Sequence, residues 1–78
     1  MKYSRLMNVP DSVQAPSGMN AQAHYRPMAA EVVRAGRSYQ SRLTWDGVSR
    51  QVQEHPTLSA AIARANALQV SDWEADAA

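Results

Sequence analysis

The alternation of apolar and polar residues is clearest between Ser38 and Glu54. Aromatic and aliphatic side chains recur there with polar residues between them, which is the two-residue period of a strand with one buried face. An Asp-Gly pair interrupts the alternation at 46–47, and between strand-forming segments this dipeptide predicts a two-residue type I′ turn. The sequence therefore predicts a β-hairpin that begins at Ser38 and ends at Glu54.

The turn also predicts which residues face each other across the hairpin, because a two-residue loop fixes the register. The expected pairs are Trp45 with Val48, Leu43 with Arg50, and Ser41 with Val52. In this register, one face of the hairpin is apolar. That face carries Tyr39, Leu43, Trp45, Val48 and Val52.

Residues 28–35 are compatible with two structures. A strand that turns at 36–37 would set Glu31 opposite Arg42 and would place Met28, Ala30 and Val32 on the apolar face of the hairpin. The alternative is a short helix, with a proline at its start and a glycine past its end. The agreement between the charge pair and the apolar face favours the strand, which would make a three-stranded meander.

A helix is predicted after Pro56, with Thr57 as the N-cap that accepts a hydrogen bond from the first turn. Its apolar positions recur with helical spacing and form one narrow stripe that suits close packing on a small sheet. The stripe consists of Leu58, Ala61, Ile62, Ala65 and Leu68. Further on, Ser71 and Glu74 fit the capping pattern of a last turn that carries Trp73, which either closes the core or lies exposed on the tail.

The predicted fold class is α+β: a small antiparallel β-meander packed by one C-terminal helix. Residues 1–25 contain two prolines and a glycine among serine, asparagine and glutamine, and they are expected to form an irregular N-terminal arm. Residues 26–78 are expected to form the single hairpin and helix domain.

Composition limits how this domain can be stabilised. A chain of 78 residues buries a thin core, and without cysteine it has neither disulfides nor thiolate metal sites. No segment has the apolar length of a membrane span, and the first ten residues lack the apolar stretch of a signal peptide. We therefore expect a protein of the cytoplasm that is stabilised by apolar packing and has no membrane partner.

Catalytic chemistry has little support in the sequence. The two histidines are His24 in the arm and His55 before a proline, where a surface turn position is expected. The acids Asp72, Glu74 and Asp76 lie together on the tail, and the three glycines are isolated from one another. We expect no enzymatic activity, no cofactor, no metal ion and no small-molecule substrate.

Charge is distributed unevenly along the chain. Residues 1–53 carry seven cationic and three acidic side chains, whereas residues 54–78 carry one and four. The sheet-region arginines make DNA or RNA binding an alternative function. Against it, the predicted register turns the aromatic residues towards the helix, and the pI of 8.2 is below the range typical of nucleic-acid-binding domains.

The layout over residues 28–70 resembles small phage-encoded accessory proteins, of which anti-CRISPR proteins are the best described group. The similarity is carried by the hairpin segment Ser-Tyr-Gln-Ser-Arg-Leu-Thr-Trp-Asp-Gly-Val-Ser-Arg and the helix Thr-Leu-Ser-Ala-Ala-Ile-Ala-Arg-Ala-Asn-Ala-Leu. The resemblance implies a non-catalytic inhibitor that occludes a surface of a bacterial CRISPR surveillance complex.

If the resemblance holds, the target can be contacted in two ways. Acidic groups could imitate phosphates, with Asp46, Glu54, Asp72, Glu74 and Asp76 as the available set. Arginines could instead bind acidic groups of a protein partner through their planar guanidinium groups, which the overall charge favours. The predicted partner-binding residues are Arg37, Arg42, Arg50 and Asp46. For the arginines, the alternative is pairing within the chain, for example Arg42 with Glu31.

Overall fold

The computed structural model describes residues 3–19 and 27–76. The sequence predictions that concern residues 1–2, 20–26 and 77–78, including His24, lie outside the described residues. Along the chain the elements are β1 (Tyr3–Met7), β2 (Met28–Ala35), β3 (Ser38–Trp45), β4 (Val48–His55), α1 (Leu58–Ala67) and α2 (Val70–Ala75). The strands form one antiparallel sheet in the order β1-β2-β3-β4, and the α+β class is confirmed.

The predicted turn joins β3 to β4. Asp46 has φ 55° and Gly47 has φ 74°, which are the two positive values that a type I′ turn requires. Residues 28–35 form a strand and not a helix, and Glu31 lies opposite Arg42 as predicted. The meander is therefore confirmed in the region where charge pairing and apolar alternation agreed.

The predicted irregular arm begins with a strand. Tyr3–Met7 forms the edge strand β1 and pairs with β2, so that Met7 faces Met28 in the core. Residues 8–19 contain no helix or extended strand, but Val13 and Ala15 are buried among the core residues. This part of the predicted arm therefore contributes to the fold.

A β-bulge in β4 changes the second half of the predicted hairpin register. Trp45 faces Val48 and Leu43 faces Arg50 as expected, but Ser41 faces Gln53 and not Val52. The extra residue lies on β4, where Gln51 adopts φ 57°. Because one inserted residue moves the following side chains to the other face, Val52 is 49% exposed on the side away from the helices.

The helix α1 is fixed at both ends by polar contacts. At its start, the Thr57 hydroxyl accepts a hydrogen bond from the Ala60 N–H at 3.2 Å, as predicted. At its end, the Arg5 guanidinium donates to the carbonyl oxygens of Ala65 at 3.0 Å and Leu68 at 2.6 Å. A cation at this end of the helix satisfies free carbonyl groups and opposes the negative end of the helix dipole.

The second helix, α2, begins earlier than predicted. Its N-cap is Gln69, whose N–H donates to Asp72 Oδ2 at 2.8 Å, so the expected cap at Ser71 is wrong. Trp73 is fully buried, and its ring lies edge-on to Trp45 with centroids 5.7 Å apart. The two alternatives for Trp73 are thereby resolved: it closes the core.

The core lies between the sheet and the two helices. Its large buried side chains are residues of the sheet, Trp73 of α2 and Leu68 between the two helices, while α1 contributes alanines that let the helix approach the sheet closely. The buried apolar residues are Met7, Val13, Ala15, Met28, Ala30, Val32, Leu43, Trp45, Ala61, Ala65, Leu68 and Trp73. No helix in the described part of the chain has the length and apolar character needed to cross a membrane.

We expect Trp45→Ala to lower the free energy of unfolding by about 3–5 kcal/mol, because it removes a buried ring and leaves a cavity beside Trp73. Chemical denaturation followed by circular dichroism measures this loss. Val48→Ala is the control, since Val48 faces Trp45 but is 37% exposed, and its loss should be much smaller. Equal losses for the two variants would contradict the described core.

We expect Gly47→Val to lower the free energy of unfolding by about 1–2 kcal/mol, because a β-branched residue is strained at φ 74°. Space is not the cause, since a Cβ atom at this position would meet nothing within 4 Å. Gly47→Asn is the matched variant, because asparagine tolerates positive φ and should cost less. Thermal unfolding of both variants tests this, and a valine variant as stable as the asparagine variant would refute the described turn.

Candidate binding surface

The sheet has one face covered by helices and one face that no described helix covers. α1 packs on the first face, and the side chains that point towards it form the core. Side chains of the second face alternate with these along each strand, and all of them are half-buried or exposed. We call this second surface the open face. It carries Ser4, Leu6, Ala29, Glu31, Val33, Gln40, Arg42, Thr44, Ser49, Val52 and Glu54.

A polar network forms the centre of the open face. Glu31 Oε1 accepts hydrogen bonds from Arg42 Nε at 3.3 Å and from the Thr44 hydroxyl at 2.9 Å. Arg42 also donates to Gln40 Oε1 at 3.4 Å. The side chains of Arg42 and Glu31 are 30% and 28% exposed, so solvent screens the pair and its contribution to stability is about 0–1 kcal/mol. Its main consequence is to hold both charged groups in fixed orientations on the sheet.

Apolar side chains flank this charged centre on both edge strands. Leu6 on β1 is 66% exposed, and Val52 on β4 is 49% exposed because of the bulge. Ala29 and Val33, which lie between them on β2, are half-buried. A partner of this face would therefore cover two separate apolar groups and also meet an existing ion pair.

Arg50, one of the predicted partner-binding residues, lies on the helix side of the sheet. Its guanidinium carbon is 4.1 Å from the centroid of the Trp73 ring, and its Nη1 donates to the Trp73 carbonyl at 3.3 Å. A cation over an indole ring is stabilised by the ring quadrupole. The structure therefore gives Arg50 a role in holding α2 on the sheet.

The other predicted residues are distributed over the length of the sheet. Arg37 is exposed in the turn between β2 and β3, whereas Asp46 lies in the turn between β3 and β4. The eight residues of β3 separate these turns, which corresponds to roughly 25 Å of strand. Asp46 Oδ2 accepts a hydrogen bond from the Ser17 N–H at 2.8 Å. Arg42 is the only one of the four predicted residues on the open face, so the four do not form one site.

The acidic residues considered as phosphate mimics also have internal roles. Asp76 Oδ2 accepts from the Gln51 N–H at 3.0 Å, and Glu54 accepts from the Ser38 hydroxyl at 3.0 Å. Asp72 caps α2, as described above. These contacts distribute the carboxylates over several parts of the surface, and the described residues do not bring them together as a row of negative charge.

Gln51 connects the sheet to both helices, a role that the sequence reasoning did not predict. Its side-chain NH₂ donates to the Asp72 carbonyl at 2.9 Å, and its Oε1 accepts from Arg64 Nη2 at 3.2 Å. The bulge therefore joins β4 to both helices. The predicted register contained a signal for such polar contacts. It set Arg50 opposite Leu43 on the helix side of the sheet, where a charged residue needs polar partners nearby.

His55 is not the surface turn residue that was expected. It is the last residue of β4, is half-buried, and its Nε2 lies 2.8 Å from the hydroxyl of Ser41. Ser41 is fully buried, so His55 supplies the hydrogen-bond partner that a buried hydroxyl requires. The pair is a structural contact between the end of β4 and the middle of β3.

Outside the open face, the described surface has a cleft beside the helices. This open cleft of about 200 Å³ lies beside α2 and is lined by Val13, Gln14, Arg50, Trp73 and Glu74. Among residues 3–19 and 27–76, no group of three or more histidine, aspartate or glutamate side chains is arranged to hold a metal ion.

The fold and surface define a small α+β domain with a four-stranded meander, one helical layer and an open sheet face. Comparisons of the chain with protein-family models, curated proteins and solved structures gave no significant match.

We expect Arg50→Ala to lower the free energy of unfolding by about 1–2 kcal/mol, since it removes the contacts with the ring and carbonyl of Trp73. Arg37→Ala is the control, because Arg37 is exposed in a turn and its loss should change stability by less than about 0.5 kcal/mol. Urea titrations of the two variants measure the difference. Equal stabilities would show that Arg50 does not hold α2 in place.

Proposed function

We propose that this chain is a non-catalytic binding protein of the bacterial cytoplasm whose open face docks on a protein complex and occludes it. The activity would be of the kind performed by phage-encoded inhibitors of CRISPR surveillance complexes. The observation that carries the proposal is the open face itself, where an oriented ion pair of Arg42 and Glu31 lies between exposed Leu6 and Val52. Such a surface offers charged groups for specificity and apolar groups for burial.

Arg42 is the central recognition group in this proposal. Its Nε and one Nη nitrogen have partners on the open face, which fixes the plane of the guanidinium. The remaining N–H donors of a guanidinium can bind an acidic side chain of a partner, because their fork geometry matches a carboxylate. Glu31 would meet a cationic group of the same partner, so that the target surface carries both signs of charge.

The distribution of arginines favours a protein target over a nucleic acid. Arg5, Arg50 and Arg64 donate to groups within the chain on the helix side of the sheet. Arg34 and Arg37, at the turn between β2 and β3, are exposed. Among residues 3–19 and 27–76, no aromatic side chain lies on the open face, so these residues provide no stacking platform of the kind typical of single-strand binding.

The test uses the double variant Glu31→Arg/Arg42→Glu. It exchanges the two charges, so the ion pair within the chain is retained while the pattern presented to a partner is reversed. Tagged wild-type chain should capture a CRISPR surveillance complex from a nuclease-treated bacterial lysate. With that complex purified, the exchanged variant should bind about tenfold more weakly or worse, because like charges then meet across the interface.

Two controls make the result interpretable. The melting temperature of the exchanged variant should stay within about 5 °C of the wild-type value, since a screened pair contributes about 1 kcal/mol or less. Ala63→Glu adds a charge to the exposed side of α1, and it should leave binding unchanged. A captured partner that is nucleic acid alone, lost at moderate salt, would refute the proposal in favour of DNA or RNA binding.

A further inference from the structure

Within the described part of the chain, the two edge strands of the sheet differ in the contacts that flank their backbones. In the turn before β4, Asp46 accepts a hydrogen bond from the Ser17 N–H. At the bulge in β4, the Gln51 N–H donates a hydrogen bond to Asp76. The N-terminal loop and α2 therefore both contact β4 or its turn. A bulged strand that is flanked in this way is a poor template for pairing with another strand.

The strand β1 has none of these protections in the described part of the chain. All five residues pair in regular register with β2, and no described residue outside β2 forms a hydrogen bond with the β1 backbone. Arg5 holds the strand rigidly, because its guanidinium is bonded to the end of α1. Leu6, at 66% exposure, is the most exposed of the large hydrophobic residues described.

We infer that β1 is a self-association edge, at which β1 of a second copy of this chain pairs antiparallel about a twofold axis. A strand edge fits its own copy, because antiparallel pairing repeats the same backbone spacing in both directions. This inference does not depend on the proposed function, since it requires no target complex.

The side chains select one register for this pairing. With the twofold axis at Arg5, two arginines would be directly opposed, and like charges in that position are destabilising. With the axis at Leu6, each Leu6 faces its copy on the open face and Arg5 faces Met7. Only an axis at Leu6 sets the most exposed apolar group opposite its own copy, and this register also avoids the charge repulsion, so we assign the axis to Leu6.

The pairing would extend the open face. A twofold axis perpendicular to the sheet keeps both helical layers on one side, so the two open faces become one face of an eight-stranded sheet. A pair of five-residue strands buries less area than a standard interface, and the association should therefore be weak and dependent on concentration.

Sedimentation velocity over a concentration series tests the inference. The wild-type mass should rise from 8.6 kDa towards twice that value as the concentration increases. Leu6→Lys should raise the dimer Kd about tenfold or more, because it places two cations opposite each other. Val52→Lys is the matched control: it also replaces an exposed apolar residue of the open face, but on β4, and it should leave the Kd unchanged.

The register is tested by disulfide formation. Because the chain has no cysteine, a single introduced cysteine can form a disulfide only with its counterpart in a second copy. Directly opposed residues have Cβ atoms about 4.5–5.5 Å apart, close to the separation that a disulfide spans. Leu6→Cys should therefore form a crosslinked dimer under mild oxidation, and Val52→Cys should crosslink at least about tenfold more slowly. A wild-type chain that stays monomeric, or equal behaviour of the Leu6 and Val52 variants in either assay, would overturn the inference.

Discussion

The β-bulge at Gln51 is the feature on which the arrangement of sheet and helices depends. Its positive φ frees the Gln51 N–H to bond with Asp76, while the Gln51 side chain bonds with Asp72 and Arg64. These contacts place α2 against β4, and Trp73 of α2 is buried there. The same bulge moves Val52 to the open face, so one backbone irregularity determines both how the core is closed and what the other surface displays.

The core is thin, and the structure compensates by combining large aromatic residues with polar contacts at its margins. Alanines of α1 allow a close approach to the sheet, and the tryptophans Trp45 and Trp73 fill the remaining space edge-to-face. Arg5 and Arg50 then fix the two helices, one at the carbonyl end of α1 and the other over the ring of Trp73. The guanidinium groups thus connect the sheet to each helix where apolar contact alone is limited.

The sequence predicts the parts of the fold that are encoded locally. Alternation and the Asp-Gly turn predict β3 and β4, the Glu31–Arg42 pairing predicts β2, and Thr57 predicts the start of α1. β1 was missed because five residues followed by a proline-containing loop carry little periodicity, and their order depends on pairing with β2. The bulge was missed because it is stabilised by residues of α2 distant in sequence. For the same reason, sequence reasoning assigned Arg50 to partner binding and did not recognise its structural contact with Trp73.

A domain with one helical layer has one sheet face that the helices cannot cover, and the chemistry of that face determines whether it must be covered. An apolar face would make the chain dependent on a partner for folding. Here the centre of the face satisfies its own charges through Glu31, Arg42 and Thr44, while exposed apolar groups are confined to its two margins. Such a face is stable in water, and a partner can still bury the apolar groups at its margins. Partner binding at this face is therefore expected to be reversible and separate from folding.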